Sequence, residues 1–170
     1  MKIIKPVLLF ALFISLKASA QTYEVPKNYR LKSTDDYAKY EPDIIKTADW
    51  MQQTSWTDQS KKIDAAIQFF LDWVRGTPAV TVNLGQPSLS LSDKNPQLGF
   101  TYMSQFSKYA LLHKEKFDHT KANVAALRAV IAKYNMEPSR RKDEDIENLI
   151  QLDREGRLEE WVITDFEQQQ

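Results

Sequence analysis

The apolar residues between Thr57 and Gly76 limit what this chain can fold into. Ile63, Ala66, Ile67, Phe70, Leu71, Trp73 and Val74 sit at offsets 0, 3, 4, 7, 8, 10 and 11, one continuous helical stripe. Such a stripe has to be covered by another apolar surface, and the chain supplies several. Tyr37, Tyr40, Ile44, Ala48 and Met51 recur at steps of three and four, with Pro42 forcing a break near Glu41. Leu98, Tyr102, Met103, Phe106, Tyr109 and Ala110 form another stripe, ending near His113. Val124, Leu127, Val130, Ile131 and Tyr134 form the next, on an alanine-rich helix that a neighbour can approach closely. Ile146, Leu149 and Ile150 follow, and Leu158, Trp161 and Val162 mark a last short helix.

Stop and start signals separate these stripes. Ser33 or Thr34, Thr57 or Asp58, Asn95, Asp118 or Thr120, and Asp143 are placed to cap helix starts. Gly76 reads as a left-handed stop with Pro78 behind it, and Gly156 as a second stop. The pattern predicts an all-α, single compact domain of five to six amphipathic helices over residues 34–166. Residues 167–170 are expected to fray. One segment departs from the helical period. Val80, Val82 and Leu84 alternate with polar residues, Gly85-Gln86-Pro87 intervenes, and Leu89 and Leu91 alternate again. That pattern predicts one short β-hairpin around residues 79–92, with an irregular loop as the alternative.

The first 20 residues carry a different message. Lys2 and Lys5 precede the ten residues Val7–Leu16, apolar except for Ser15, and Ala18-Ser19-Ala20 offers a small-x-small cleavage site. This order reads as a cleavable signal peptide, Met1–Ala20. Ten helical residues reach about 15 Å, too short to span a bilayer. Gln21–Ser33 then reads as an extended arm. Over the whole chain 23 basic and 23 acidic side chains balance; loss of Lys2, Lys5 and Lys17 leaves the remainder at −3. That charge excludes the clustered Lys and Arg of a nucleic-acid binder, and no membrane span is expected. The chain has no cysteine, so it has no lipid-anchor site at the cleavage point, no disulfide and no thiolate chemistry. The expected location is outside the cytoplasm, periplasmic or secreted, with the periplasm favoured.

Chemical motifs are sparse. His113 and His119, with Glu115 and Asp118 nearby, lack the three- or four-residue spacing of paired ligands on a helix, so no metal is expected. Asp143, Glu144, Asp145, Glu147, Glu159 and Glu160 fall near Arg140, Arg141 and Lys142 on outward helix faces, where solvated acids at helix starts account for them. Ser88, Ser90 and Ser92 have no nucleophile elbow around them, and the 4 glycines are too dispersed for a phosphate loop. No catalytic residue, no cofactor and no enzymatic activity are expected. Trp56, Tyr23 and Tyr29 lie off the stripes and are the candidate contact surface.

The segments QTYEVPKNY at 21–29, DYAKYEPDIIK at 36–46 and GRLEEWV at 156–162 resemble small exported helical proteins of Bacteroidetes-type bacteria, a group with no assigned activity. The resemblance implies export and an all-α fold and carries over no functional residue. The sequence thus points to an exported, non-enzymatic helical protein acting through contacts with an unidentified protein partner. The alternative is a helical domain binding a lipid, sugar or metabolite in an aromatic-lined pocket.

Overall fold

The computed structural model describes residues 23–170; the export-signal reading of Met1–Ala20 lies outside them. Every regular element among these residues is helical: α1 Thr34–Lys39, α2 Glu41–Gln53, α3 Ser60–Val74, α4 Gln86–Ser90, α5 Gln97–Leu112, α6 His119–Met136, α7 Glu144–Arg154 and α8 Leu158–Trp161. A 3₁₀ turn, Lys114–Lys116, links α5 to α6. α8 widens into a π turn at Val162–Phe166 and closes with a 3₁₀ turn at Glu167–Gln169.

The local chemistry explains most boundaries. Ser33 Oγ accepts the Asp36 N–H at 3.2 Å, and the Asp36 carboxylate accepts the Ser33 N–H at 3.1 Å, a reciprocal cap on α1. Backbone N–H donors, that of Lys32 foremost, hold the Asp36 carboxyl below its usual range. Tyr40 separates α1 from α2, and Pro42 sits in the first turn of α2, where its missing N–H costs nothing. α3 starts at Ser60, later than Thr57 or Asp58, because Gln59 adopts a left-handed conformation at φ 52°. Asp118 caps α6 through the Lys121 N–H at 3.0 Å, and Asp143 caps α7 through the Asp145 N–H at 3.2 Å.

α5 lies at the centre. Its partner α6 runs antiparallel to it, since Tyr102 meets Asn123 while Phe106 meets His119 further along. α2 is antiparallel to α5 on another side, joined by Ala48 to Gln105, Asp49 to Lys108 and Glu41 to Lys114. Between them Ile44, Phe69, Phe70, Trp73, Leu98, Tyr102, Phe106, Leu127 and Phe166 are fully or almost fully buried. Each large apolar side chain of this kind contributes roughly 1.5–3 kcal/mol on burial. Residues 23–33 lie against α2 and α3 without forming a helix.

Four expectations need correction. No hairpin forms around residues 79–92: Val80–Gly85 runs free of helix, turn or bend, and the intended second strand becomes α4 instead. Pro87 in the first turn of a helix is favourable, whereas in a strand it would lack a ladder donor. Asn95 does not cap α5; its buried side chain spans to Arg141, donating to the carbonyl at 3.0 Å and accepting the N–H at 2.8 Å. Gly76 is not left-handed, since Gly156 at φ 70° is the glycine with positive φ. Gly76 is instead a site of close packing, where a Cβ would lie 2.0 Å from the Tyr37 hydroxyl and the tyrosine ring would have to shift. Finally, residues 167–170 do not fray, because Glu167 and Gln170 hydrogen-bond to α5 and α6.

Candidate functional site

The end of α5, the start of α6 and the segment Pro78–Asn83 enclose a cleft of about 550 Å³, open on one side. Helical spacing builds the first wall. Phe106 and Ala110 are one turn apart on α5, and Lys114 continues that face into the 3₁₀ turn. Phe117 and His119 complete it, the second opening α6. The rings form an edge-to-face cluster: Phe106 to His119 at 5.5 Å, Phe106 to Phe117 at 6.0 Å and Phe117 to His119 at 6.3 Å between centroids. Phe117 is 43% exposed at the rim, although it is a large apolar residue.

The facing wall is the segment that failed to become a hairpin. Val80 is 6% exposed and anchors the segment in the core, and half-buried Val82 packs there too. Ala79, Thr81 and Asn83 alternate with them and line the cleft. The sequence alternation therefore survives only in part, since Val80 also borders the cleft and Leu84, the third apolar residue of the pattern, is exposed.

The two titratable groups of the lining are both tied back. Lys114 Nζ bonds the Glu41 carboxylate. His119 Nδ1 lies 3.1 Å from Glu167 Oε1. The same oxygen accepts from Asn123 Nδ2 at 2.9 Å, and Glu167 Oε2 accepts from the Thr120 hydroxyl at 3.1 Å. The Asn123 amide nitrogen Nδ2 also lies 3.2 Å from His119 Nδ1, so this ring nitrogen faces both a carboxylate oxygen and an amide N–H donor. Behind it Tyr102 donates to Asn123 Oδ1 at 2.7 Å and accepts from Gln170 Nε2 at 2.9 Å. Burial pushes the Tyr102 hydroxyl far above the usual phenol range, with the Glu167 charge adding to the rise and the Gln170 bond opposing it. The cleft therefore combines apolar walls with polar edges at Thr81, Asn83, Lys114 and His119. Its lining contains no carboxylate among the described residues.

Trp56, Tyr23 and Tyr29 do not come together, and none of them lines the cleft. Tyr23 stacks on Trp50 at 4.9 Å, and its hydroxyl meets Thr47 Oγ1 at 2.9 Å. Thr47 already donates to the Asp43 carbonyl, so Tyr23 is the donor. Tyr29 donates to Asp72 Oδ2 at 2.6 Å and packs its ring against Phe69 at 4.9 Å. Trp56 is half-buried against the core, with its N–H on the Glu137 carboxylate at 3.1 Å. All three fasten connecting segments to helices. His113 stacks on Tyr109 at 4.0 Å, apart from the bonds His119 makes. Among the described residues no three His, Cys, Asp or Glu side chains group as a metal site.

Sequence reasoning missed the cleft because its walls are far apart in the chain. Phe117, a bulky apolar residue just beyond the end of a stripe, was the one available signal. No protein-family model, curated protein or solved structure matches this chain.

Proposed function

We propose that this is an exported, non-enzymatic binding protein whose contact site is the cleft between Pro78–Asn83 and the end of α5. One observation carries the reading: an open space of about 550 Å³ walled by Phe106, Ala110 and Phe117, with the Phe117 ring exposed at its rim. Ligand-receiving clefts have this size, with apolar walls and a few polar groups. Export is supported by the charged, apolar and small-x-small order of Met1–Ala20, and the Bacteroidetes-type resemblance agrees with it. The partner is a protein. The hydrogen-bonding edges at Thr81, Asn83 and His119 favour a second reading, a small apolar metabolite or lipid held in the same space.

A photoreactive phenylalanine analogue at Phe117 tests both in the producing cell, with the same analogue at exposed Ile163 as control. A protein adduct from position 117 alone supports the leading reading. A small-mass adduct alone establishes the second. Equal labelling from both positions removes the cleft as the site. Mass spectrometry of the exported chain should find Gln21 at its start; an uncleaved Met1 would remove the export reading.

A further inference from the structure

We propose that the cleft receives an extended segment of a partner protein, which pairs as a β-strand with the backbone of Val80–Leu84. This rests on the reading of the cleft as the contact site and adds the partner's conformation. The observation is a segment of strand-like sequence with no sheet to join. Val80-Thr81-Val82 is rich in β-branched residues, and Val80–Leu84 carries no turn, bend or helix. Val80 is buried in the core and Val82 packs partly against it, which anchors the segment. Yet no backbone N–H or C=O of Val80–Leu84 has a hydrogen-bond partner among the described residues. Backbone groups in folded proteins are nearly always paired with protein or water, and a run of unpaired groups is a template for another strand. Proteins usually blunt such an edge with lysine or proline; here both are absent from positions 80–84.

The cleft beside the edge says what the incoming strand carries. In strand addition the backbone supplies affinity, and pockets for alternate side chains supply selectivity. Thr81 and Asn83 point along the lining that Phe106, Ala110 and Phe117 complete. A bulky apolar side chain of the partner strand fits between them. A second copy of this chain fits poorly. Self-pairing would bring only another Thr81 and Asn83 to the apolar walls of a space of about 550 Å³. Lys114 is already ion-paired with Glu41, so the lining does not offer it to an anionic ligand. Five paired residues extend over about 17 Å, so a contact segment of five to seven residues suffices.

The test uses residues 21–170 and a phage library of random nonapeptides. Selected peptides should alternate apolar and polar residues, and binding should slow amide exchange at alternate positions within Val80–Leu84 at least tenfold. N-methylation of a selected peptide leaves the protein intact: methyls on one set of alternate amides should weaken binding at least tenfold, on the other set little. Failure to select any peptide overturns the proposal, as does binding with unchanged exchange at these amides. Dimerisation that protects the same amides without peptide would replace it with self-pairing. The Phe117 cross-link judges the cleft separately. A protein adduct there with unprotected amides sinks strand pairing and leaves the contact site standing.

Discussion

Glu137 shows how one residue can organise a loop that sequence leaves open. It caps the end of α6 just before Pro138, and its side chain is fully buried. It pairs with Lys133 at 2.8 Å and accepts from Ser55 Oγ at 3.0 Å and the Trp56 N–H at 3.1 Å. Lys133 donates in turn to the Thr54 carbonyl. The pair satisfies the backbone of Thr54–Trp56, which is why Trp56 is a fastened residue rather than a free contact. Glu137→Gln leaves the buried ammonium uncompensated, and such losses cost about 3–5 kcal/mol. At this chain size that lowers Tm by roughly 6–20 °C. Thermal unfolding should show the loss, with Lys133→Met plus Glu137→Gln recovering part of it; a single variant within 2 °C of the parent would refute this account. Two tyrosines make a second residue-scale prediction. Burial, helped by Asp72, pushes the Tyr29 hydroxyl up to about 12, and burial also raises Tyr102. A phenol with a raised folded pKa stabilises the fold fully below its unfolded value near 10. That contribution is lost as pH climbs from about 10 through 12. Tyrosinate absorbance should rise together with loss of helix in this window. Complete ionisation of every tyrosine before any helix is lost would contradict it.

At the scale of elements, the longer helices were legible because each carries its own apolar stripe, whereas α4, which has none, was not. A stripe at steps of three and four, a polar cap before it and a glycine or proline after it are local features, and local features survive folding. What was not legible depended on distant partners. Asn95 looks like a cap until Arg141 arrives from far along the chain. Val80–Leu84 looks like half of a hairpin, but Leu84 is exposed, and Pro87 favours the first turn of α4 over a second strand. Gly156 is the clean local case. At φ 70° it ends α7 in a conformation that costs an L-residue roughly 1–2 kcal/mol, and a Cβ there would meet nothing within 4 Å. Gly156→Ala should therefore lose about 1–2 kcal/mol from backbone strain alone. Gly156→Asn should lose less, since asparagine tolerates this region better. Urea unfolding of the two variants decides it. Equal losses, or none, would mean that the turn relaxes and the glycine is dispensable.

Taken whole, the molecule braces its cleft from behind, and nothing in the sequence periodicity announces this. The Glu167–Gln170 turn touches both walls. Glu167 orients His119 through Nδ1, and Gln170 reaches Tyr102 on α5. The same turn lies over Gly85, where the Val80–Gly85 segment ends: a Cβ on Gly85 would come within 1.9 Å of the Gln169 carbonyl oxygen and 2.5 Å of Gln170 Cα. These are backbone atoms, so no side-chain rotation relieves the clash. Gly85 itself sits at φ −90°, which any residue can adopt, so Gly85→Ala acts by contact and not by strain. It should lift the turn, free His119 and Tyr102 from Glu167 and Gln170, and leave the α5–α6 core folded. Hydrogen exchange reads this directly. Faster exchange is expected at Phe166–Gln170, with protection of Leu98–Phe106 and Leu127–Tyr134 unchanged. Ligand affinity in the cleft should fall with it, because a ligand would then have to order the wall that the turn now holds. Unchanged exchange at Phe166–Gln170 would show that the turn shifts to accept a methyl group, and the brace would be a packing contact without control over the site.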